Sequence, residues 1–250
     1  MGRIFLLGGH DLEMVEIKKM LESRGEQWAD HCLNWNNARL SAYSDVINAQ
    51  PDAEYYGVEL QEDFPLPAHF VRIDHHNDYS HRSASILQVA SLLNIELNRH
   101  IQLVAANDAG YIPALQALGA TQKEIAEIRR LDRSAQGVTS KDEQLAEQSI
   151  KHNLTTLKDI LIVKSLTPRF SPICDRLFPY QRLLIYTDSE WSFYGNDKES
   201  ITKKFETDIA SKRIYHGGGP NGYIGAAHGT FTPQEILDFV TSIKQRYEHL

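Results

Sequence analysis

Residues 3–7, Arg-Ile-Phe-Leu-Leu, form a short apolar run that stops at Gly8-Gly9, and Met14, Ile17 and Leu21 then recur at helical spacing. A run that short, ended by glycines, reads as a strand buried on both faces. The periodic segment over 12–23 reads as a helix, with Gly25 as its stop. A buried strand followed at once by a helix is an opening βα unit, and strands alternating with helices imply a mostly parallel sheet covered on both faces. The next segments agree. Strands are expected at 27–33, 54–60 and 69–74, with a helix at 37–49 between the first two. Helical apolar spacing then governs 83–93, 99–107, 113–118 and 122–132.

At 250 residues the chain has room for two domains. The pattern weakens around Gly137, so residues 1–135 are expected as one domain, 136–152 as a linking helical region and 153–250 as a smaller α/β domain. Strands are expected there at 159–165, 182–188 and 190–194, and helices at 198–210 and 233–249. Net charge is −7, which argues against capture of long duplex nucleic acid. Residues 1–150 carry 13 basic and 22 acidic side chains, and residues 151–250 carry 13 and 11. The first part suits metal binding, and the more basic second part suits an anionic substrate. No apolar stretch approaches the ~20 residues of a membrane span, so the chain is expected in the cytoplasm. Cys32 and Cys174 lack metal-ligand spacing and read as core thiols.

Asp74-His75-His76 lies at the end of an expected strand. In an open parallel sheet, ligands gather outside the carboxyl ends of strands. Two imidazoles and a carboxylate there suit a transition metal, with the carboxylate able to orient a ring. Other strand ends carry complementary groups. His10, Asp11 and Glu13 follow the first strand, and Glu59 ends the third. Asp108 sits in Asn107-Asp108-Ala109-Gly110, near a helix end. The chain has no P-loop, no His-Glu-x-x-His, no Gly-x-Ser-x-Gly and no dinucleotide fingerprint.

In this order of motifs the sequence resembles the DHH phosphoesterases: a carboxylate-x-carboxylate after strand one, an acidic strand end, Asp-His-His, and an isolated Asp. The Ser83-Ala84-Ser85 helix start and 106–110 also look like the family's motif surroundings. The resemblance implies an α/β protein with a mostly parallel sheet in an N-terminal DHH domain, a smaller C-terminal domain of the DHHA1 type, and an active site in the cleft between them. It implies Mn²⁺ or Mg²⁺, two per site. One ion would use Asp11 and Glu59, with His10 as a further candidate, and the other Glu13, Glu59, His75 and Asp108. Asp74 would orient His75, and His76 would meet the substrate phosphate or leaving oxygen. The implied reaction is hydrolysis of a small phosphate ester or short nucleotide by a water that the two metals activate. The chain departs from the family at Leu7, where a His is usual, and at Glu13 and Glu59, where Asp is usual. These departures motivate an alternative, a catalytically weak or inactive nucleotide-binding module that keeps the cleft.

In the second domain, 217–225 resembles the family's Gly-Gly-Gly-His loop, with Pro220 in place of the His. Consecutive glycines permit close backbone approach to an anion, or simply make a tight turn. Gly217, Gly218, Gly219, Asn221 and Arg213 are the expected substrate contacts, with Lys212, His216 and His228 nearby and Tyr215 and Tyr223 able to stack on a base. The expected partner is a small phosphorylated or nucleotide substrate, not a membrane. Sheet-edge pairing of the first domain offers a route to a homodimer.

Overall fold

A computed structural model of the chain describes residues 2–34, 37–218 and 222–248. Trp35, Gly219, Pro220, Asn221 and His249 lie outside the described residues. The chain divides into two compact units, residues 1–137 and 138–250.

The first unit opens with β1 (Arg3–Leu7), α1 (Leu12–Arg24) and β2 (Gln27–Asp30). It continues through α2 (Ser44–Ala49), β3 (Glu54–Val58) and β4 (Phe70–Ile73). The four strands form one parallel sheet in the order β2-β1-β3-β4. Four of the five residues of β1 are buried, as the apolar run requires. On one face Ile4, Leu6 and Tyr55 pack with Leu40, Tyr43 and Ile47. The helix expected over 37–49 is shorter, a 3₁₀ turn at Leu40–Tyr43 leading into α2. Strand β3 stops at Val58 because Glu59 takes φ 53°, a left-handed conformation that cannot continue a strand.

Three helices complete the unit: α3 (Ser85–Leu92), α4 (Arg99–Ala117) and α5 (Gln122–Ala135). Helix α4 is broken at Gly110 and Tyr111, the latter at φ 59°. The break separates the segments expected at 99–107 and 113–118. Pro113 falls in the first turn after it, where its missing N–H costs nothing. Cys32 is exposed rather than buried, with its backbone N–H donating to Asp30 Oδ1 at 2.7 Å; Cys174 is buried as expected.

The second unit runs α6 (Ser140–Asn153), β5 (Leu154–Leu157), β6 (Ile160–Lys164), α7 (Ser171–Leu177), β7 (Arg182–Tyr186) and β8 (Trp191–Gly195). It ends with α8 (Lys198–Thr202), α9 (Glu206–Ala210), β9 (Ile214–Gly217), β10 (Tyr223–Ala226) and α10 (Pro233–Glu248). Its mixed sheet has the order β5-β6-β7-β8-β10-β9, with β6 and β7 the one parallel pair among the described strands. Ile236, Val240, Ile243 and Tyr247 of α10 cover one face, and Ala146 of α6 with Ile173 and Cys174 of α7 cover the other. The helix read as a linker therefore lies inside the second unit. No helix among the described residues is long and apolar enough to cross a membrane.

Candidate metal centre

Because β1, β3 and β4 are parallel and adjacent, their carboxyl ends at Leu7, Val58 and Ile73 fall in register along one rim. Gly8 lets two of these ends meet. A Cβ there would lie 2.4 Å from the Glu59 carbonyl oxygen and 2.5 Å from that of Val58, so a larger residue would push β1 and β3 apart.

The expected ligands assemble on this rim. Asp11 caps α1, its Oδ1 accepting from Met14 N at 3.0 Å. Glu13, in the first turn of α1, is 1% exposed, and its Oε1 accepts from Ile86 N at the start of α3 at 3.0 Å. Both carboxylates thus meet helix N-termini, which favour negative charge. Glu59 Oε1 accepts from the buried Ser85 hydroxyl at 2.7 Å. Asp108 stands two residues before the break in α4 and approaches His75.

Their free atoms face one another. His75 Nε2 lies 2.6 Å from Asp108 Oδ2, 3.4 Å from Glu59 Oε1 and 3.7 Å from Glu13 Oε2. Yet Glu13 Oε2, Glu59 Oε2, His75 Nε2 and Asp108 Oδ2 are buried without a hydrogen bond of acceptable geometry. Glu59, His75, His76 and Asp108 each offer a ligand atom within 4.8 Å of the others. Buried polar atoms are ordinarily satisfied, and leaving several unpaired is costly. An imidazole nitrogen and three carboxylates converging within 3.7 Å form a ligand set that fits a divalent cation such as Mn²⁺.

The electrostatics agree. Burial, with the negative Glu59 and Asp108 nearby, pushes Asp11 from 3.8 up to about 7. Burial also raises Glu13 well above the usual carboxylate range. Glu59 ends lower than usual, because contacts from His75, Glu13, His76 and Ser85 outweigh its burial. Burial opposes the charged ring of His75, but the Asp108, Glu13 and Glu59 carboxylates around it push its pKa up to about 12. A dication entering such a cluster replaces those protons.

Several expectations change. Asp74 does not orient His75; its Oδ1 accepts from His76 N at 2.9 Å and lies 3.3 Å from His76 Nδ1. Asp74 and His76 pair in the segment after β4, while the His75 ring, 4.2 Å from that of His76, turns its Nε2 to Asp108. His10 is exposed and outside the His75 cluster. In the second unit, Arg213 is committed to Asp208 Oδ1 at 2.7 Å and the Thr230 carbonyl at 2.9 Å, with its guanidinium over Phe231, so it braces the fold rather than reaching for a phosphate. Gly217 and Gly225 belong to strands β9 and β10. The rings of Tyr223 and Tyr215 occupy the space a Cβ would need there. Gly218 does take a left-handed φ of 70°, as a tight turn demands.

One group of positioning residues was missed. Asp132 Oδ1 on α5 accepts from Leu12 N, next to Asp11, at 3.3 Å. Its Oδ2 accepts from Arg129 Nη1 at 2.7 Å, and Arg129 also donates to Asn107 Oδ1 at 2.9 Å, next to Asp108. Arg129 and Asp132 are buried and tie the segments bearing Asp11 and Asp108 to one helix. The available signal was position: Ile125, Ile128, Arg129, Asp132 and Arg133 are the buried residues of α5, so three charges sit in a buried stripe. Arg129→Gln should lower manganese affinity by about 10- to 100-fold, the range for residues that orient ligands. It should also cost about 3–5 kcal/mol of stability, since Asp132 loses a buried partner. Metal titration and urea unfolding check both, and unchanged affinity would leave the network a purely structural role.

No protein-family model and no curated protein matches the sequence. Solved structures do match. A DHH-domain protein described as a member of a family of ribosomal proteins aligns over 97% of this chain and 87% of its own, at 11% identity and a TM-score of 0.54. The chain has the DHH-domain fold. Other similar structures are PggH, a pGpG-specific phosphodiesterase from Vibrio, with 11% identity, 99% and 98% coverage and a TM-score of 0.45. The exonuclease RecJ bound to manganese follows with 9% identity, 98% and 90% coverage and a TM-score of 0.43.

Proposed function

We propose that the chain is a divalent-metal-dependent phosphoesterase that hydrolyses a small phosphate ester or a short nucleotide. The observation that carries this reading is the convergence of unpartnered Glu13, Glu59, His75 and Asp108 atoms at the strand ends. Glu13, Glu59, His75 and Asp108 would hold one ion, and Asp11 with Glu59 would begin a second site. A pair of Mn²⁺ or Mg²⁺ ions lowers the pKa of a shared water and stabilises the attacking and leaving oxygens of an in-line displacement. In this reading His76 would do the proton work. Burial opposes its charge, but Asp74 beside Nδ1 raises its pKa, which favours a protonated ring whose Nε2 would face the phosphate or the leaving oxygen.

The test is a hydrolysis panel of pyrophosphate, a pNpN dinucleotide, a cyclic dinucleotide and a generic diester, with Mn²⁺, Mg²⁺ or chelator. Turnover of at least one that chelator abolishes and manganese restores is expected. A metal-loaded protein that turns over none would favour the inert nucleotide-binding alternative.

Glu13 and Glu59 each carry one methylene more than the Asp usual in proteins the chain resembles. If both reach into one cage, Glu13→Asp and Glu59→Asp should be strongly non-additive in manganese affinity, with a coupling of about 0.5–3 kcal/mol. A metal titration of both singles and the double gives the value, and additive losses would place the two carboxylates in separate cages.

A further inference from the structure

In the second unit, α10 and a 3₁₀ turn at Lys203–Phe205 flank a cavity of about 350 Å³. The buried Trp191, Ile201 and Ile243 line it, together with the partly buried rings of Phe205, Phe231 and Phe239. Protein interiors hold few voids larger than a water molecule, whereas small-molecule pockets are mostly apolar clefts of about 300–1,000 Å³ with a few polar groups. By volume and by wall, this cleft suits a small apolar guest.

The charged residues of its lining, Lys204, Glu235 and Asp238, decide the guest's head group. Glu235 is committed to the start of α10. Its Oε2 accepts from Thr232 N at 2.7 Å and from the Thr232 hydroxyl at 2.8 Å, and its Oε1 lies 3.7 Å from Arg213 Nη2. Asp238 Oδ1 accepts from Gln234 Nε2 at 2.8 Å. Lys204, by contrast, makes no hydrogen bond or ion pair among the described residues. The rings also disfavour a cation. An alkylammonium cage needs free ring faces. Here Trp191 and Phe239 stack on one another with centroids 4.0 Å apart, and the Arg213 guanidinium carbon lies 4.2 Å from the centre of Phe231. Each of these rings has given a face to a neighbour, and a fixed cation already stands at the wall.

We propose that this cavity binds a small apolar carboxylate, its body among Trp191, Phe205 and Phe239 and its head on Lys204 Nζ. The site stands independently of the phosphoesterase reading, because every lining residue lies in the second unit and none is a ligand of the proposed metal centre.

The experiment is calorimetric titration of the full chain with 4-phenylbutyrate and with hexanoate, each beside the alcohol and the amine of the same apolar body. Chelator is present throughout, so that no carboxylate is drawn to a metal ion. At least one carboxylate should bind saturably and more tightly than its alcohol by about 5-fold, the upper value for an exposed ion pair. The amine should bind weakest, and added salt should narrow the gap between carboxylate and alcohol. Lys204 and Ser242 are exposed positions on the two sides of the cleft, so the fold should tolerate a change at either, with circular dichroism as the control. Lys204→Gln should bring the carboxylate to the affinity of its alcohol and leave the alcohol unchanged. Ser242→Trp, which sets an indole into the cleft, should abolish binding of every probe. No saturable binding of either carboxylate, tighter binding of an amine, a carboxylate preference that survives Lys204→Gln, or binding that survives Ser242→Trp would each overturn the site.

Discussion

His75→Ala and Asp108→Ala are each expected to lose more metal affinity and turnover than the ~10- to 100-fold that loss of a merely orienting neighbour costs. The two side chains meet at 2.6 Å, with Glu13 Oε2 and Glu59 Oε1 within 3.7 Å of His75 Nε2. Removing either takes away a donor, and it also changes what the others experience. Without His75, three carboxylates would face each other with no cation between them, a strongly unfavourable arrangement. The fold of the first unit should nevertheless survive, because the apolar cluster of Ile4, Leu6, Leu40, Tyr43 and Tyr55 does not include either residue. Metal analysis of the purified variants, with circular dichroism for folding, is the check. Either variant with full manganese content and native turnover would contradict the assignment.

Asp11→Asn should make the metal-free protein more stable at pH 8, although it removes a proposed ligand. Burial beside Glu59 and Asp108 raises the folded-state pKa of Asp11 from 3.8 to about 7. The folded chain therefore holds this proton more tightly than the unfolded chain does. Below pH 4 the carboxyl is neutral in both states and costs nothing. Between pH 4 and 7 the native protein loses about 1.4 kcal/mol per pH unit relative to a variant that cannot ionise there. An Asn side chain still accepts the capping hydrogen bond from Met14 N, so helix α1 keeps its start. In urea unfolding with chelator, the variant's advantage should be absent at pH 4 and grow through pH 7. Saturating manganese should shrink or reverse the advantage at pH 8, because ligand bound to the native state alone stabilises it. A difference between the two proteins that does not vary with pH would contradict the buried, crowded position of Asp11.

Much of the first unit was legible because its signals are local. The apolar run in β1, the glycine stop before α1 and the Asp-His-His at a strand end each state their own structure, and the parallel order of β1, β3 and β4 then brings their ends together. What stayed hidden depends on partners distant in sequence. The glycines of 217–225 read as an anion-binding loop, yet Gly217 and Gly225 are strand residues, small because Tyr223 and Tyr215 lie against them. Glycine has poor strand propensity on its own, so only the neighbouring rings reveal why it is there. Likewise Arg213 reads as a free cation until Asp208 and the Thr230 carbonyl are seen to hold it. The Asp74 carboxylate accepts from the backbone N–H two residues on, a local turn habit of Asp that was open to sequence reasoning. The link from Asp132 to Leu12 spans 120 residues and was not.

The most direct measurement is a calorimetric titration of metal-free protein with Mn²⁺ at pH 7, repeated in buffers of different ionisation enthalpy. His75, pushed up to about 12, holds a proton that a cation at the cluster must displace, and burial raises Glu13 in the same direction. Saturable binding with net proton release, both lost in Asp108→Ala, is the predicted result. Absence of saturable binding, or binding that releases no protons and is indifferent to Asp108→Ala, would contradict a metal centre at these strand ends.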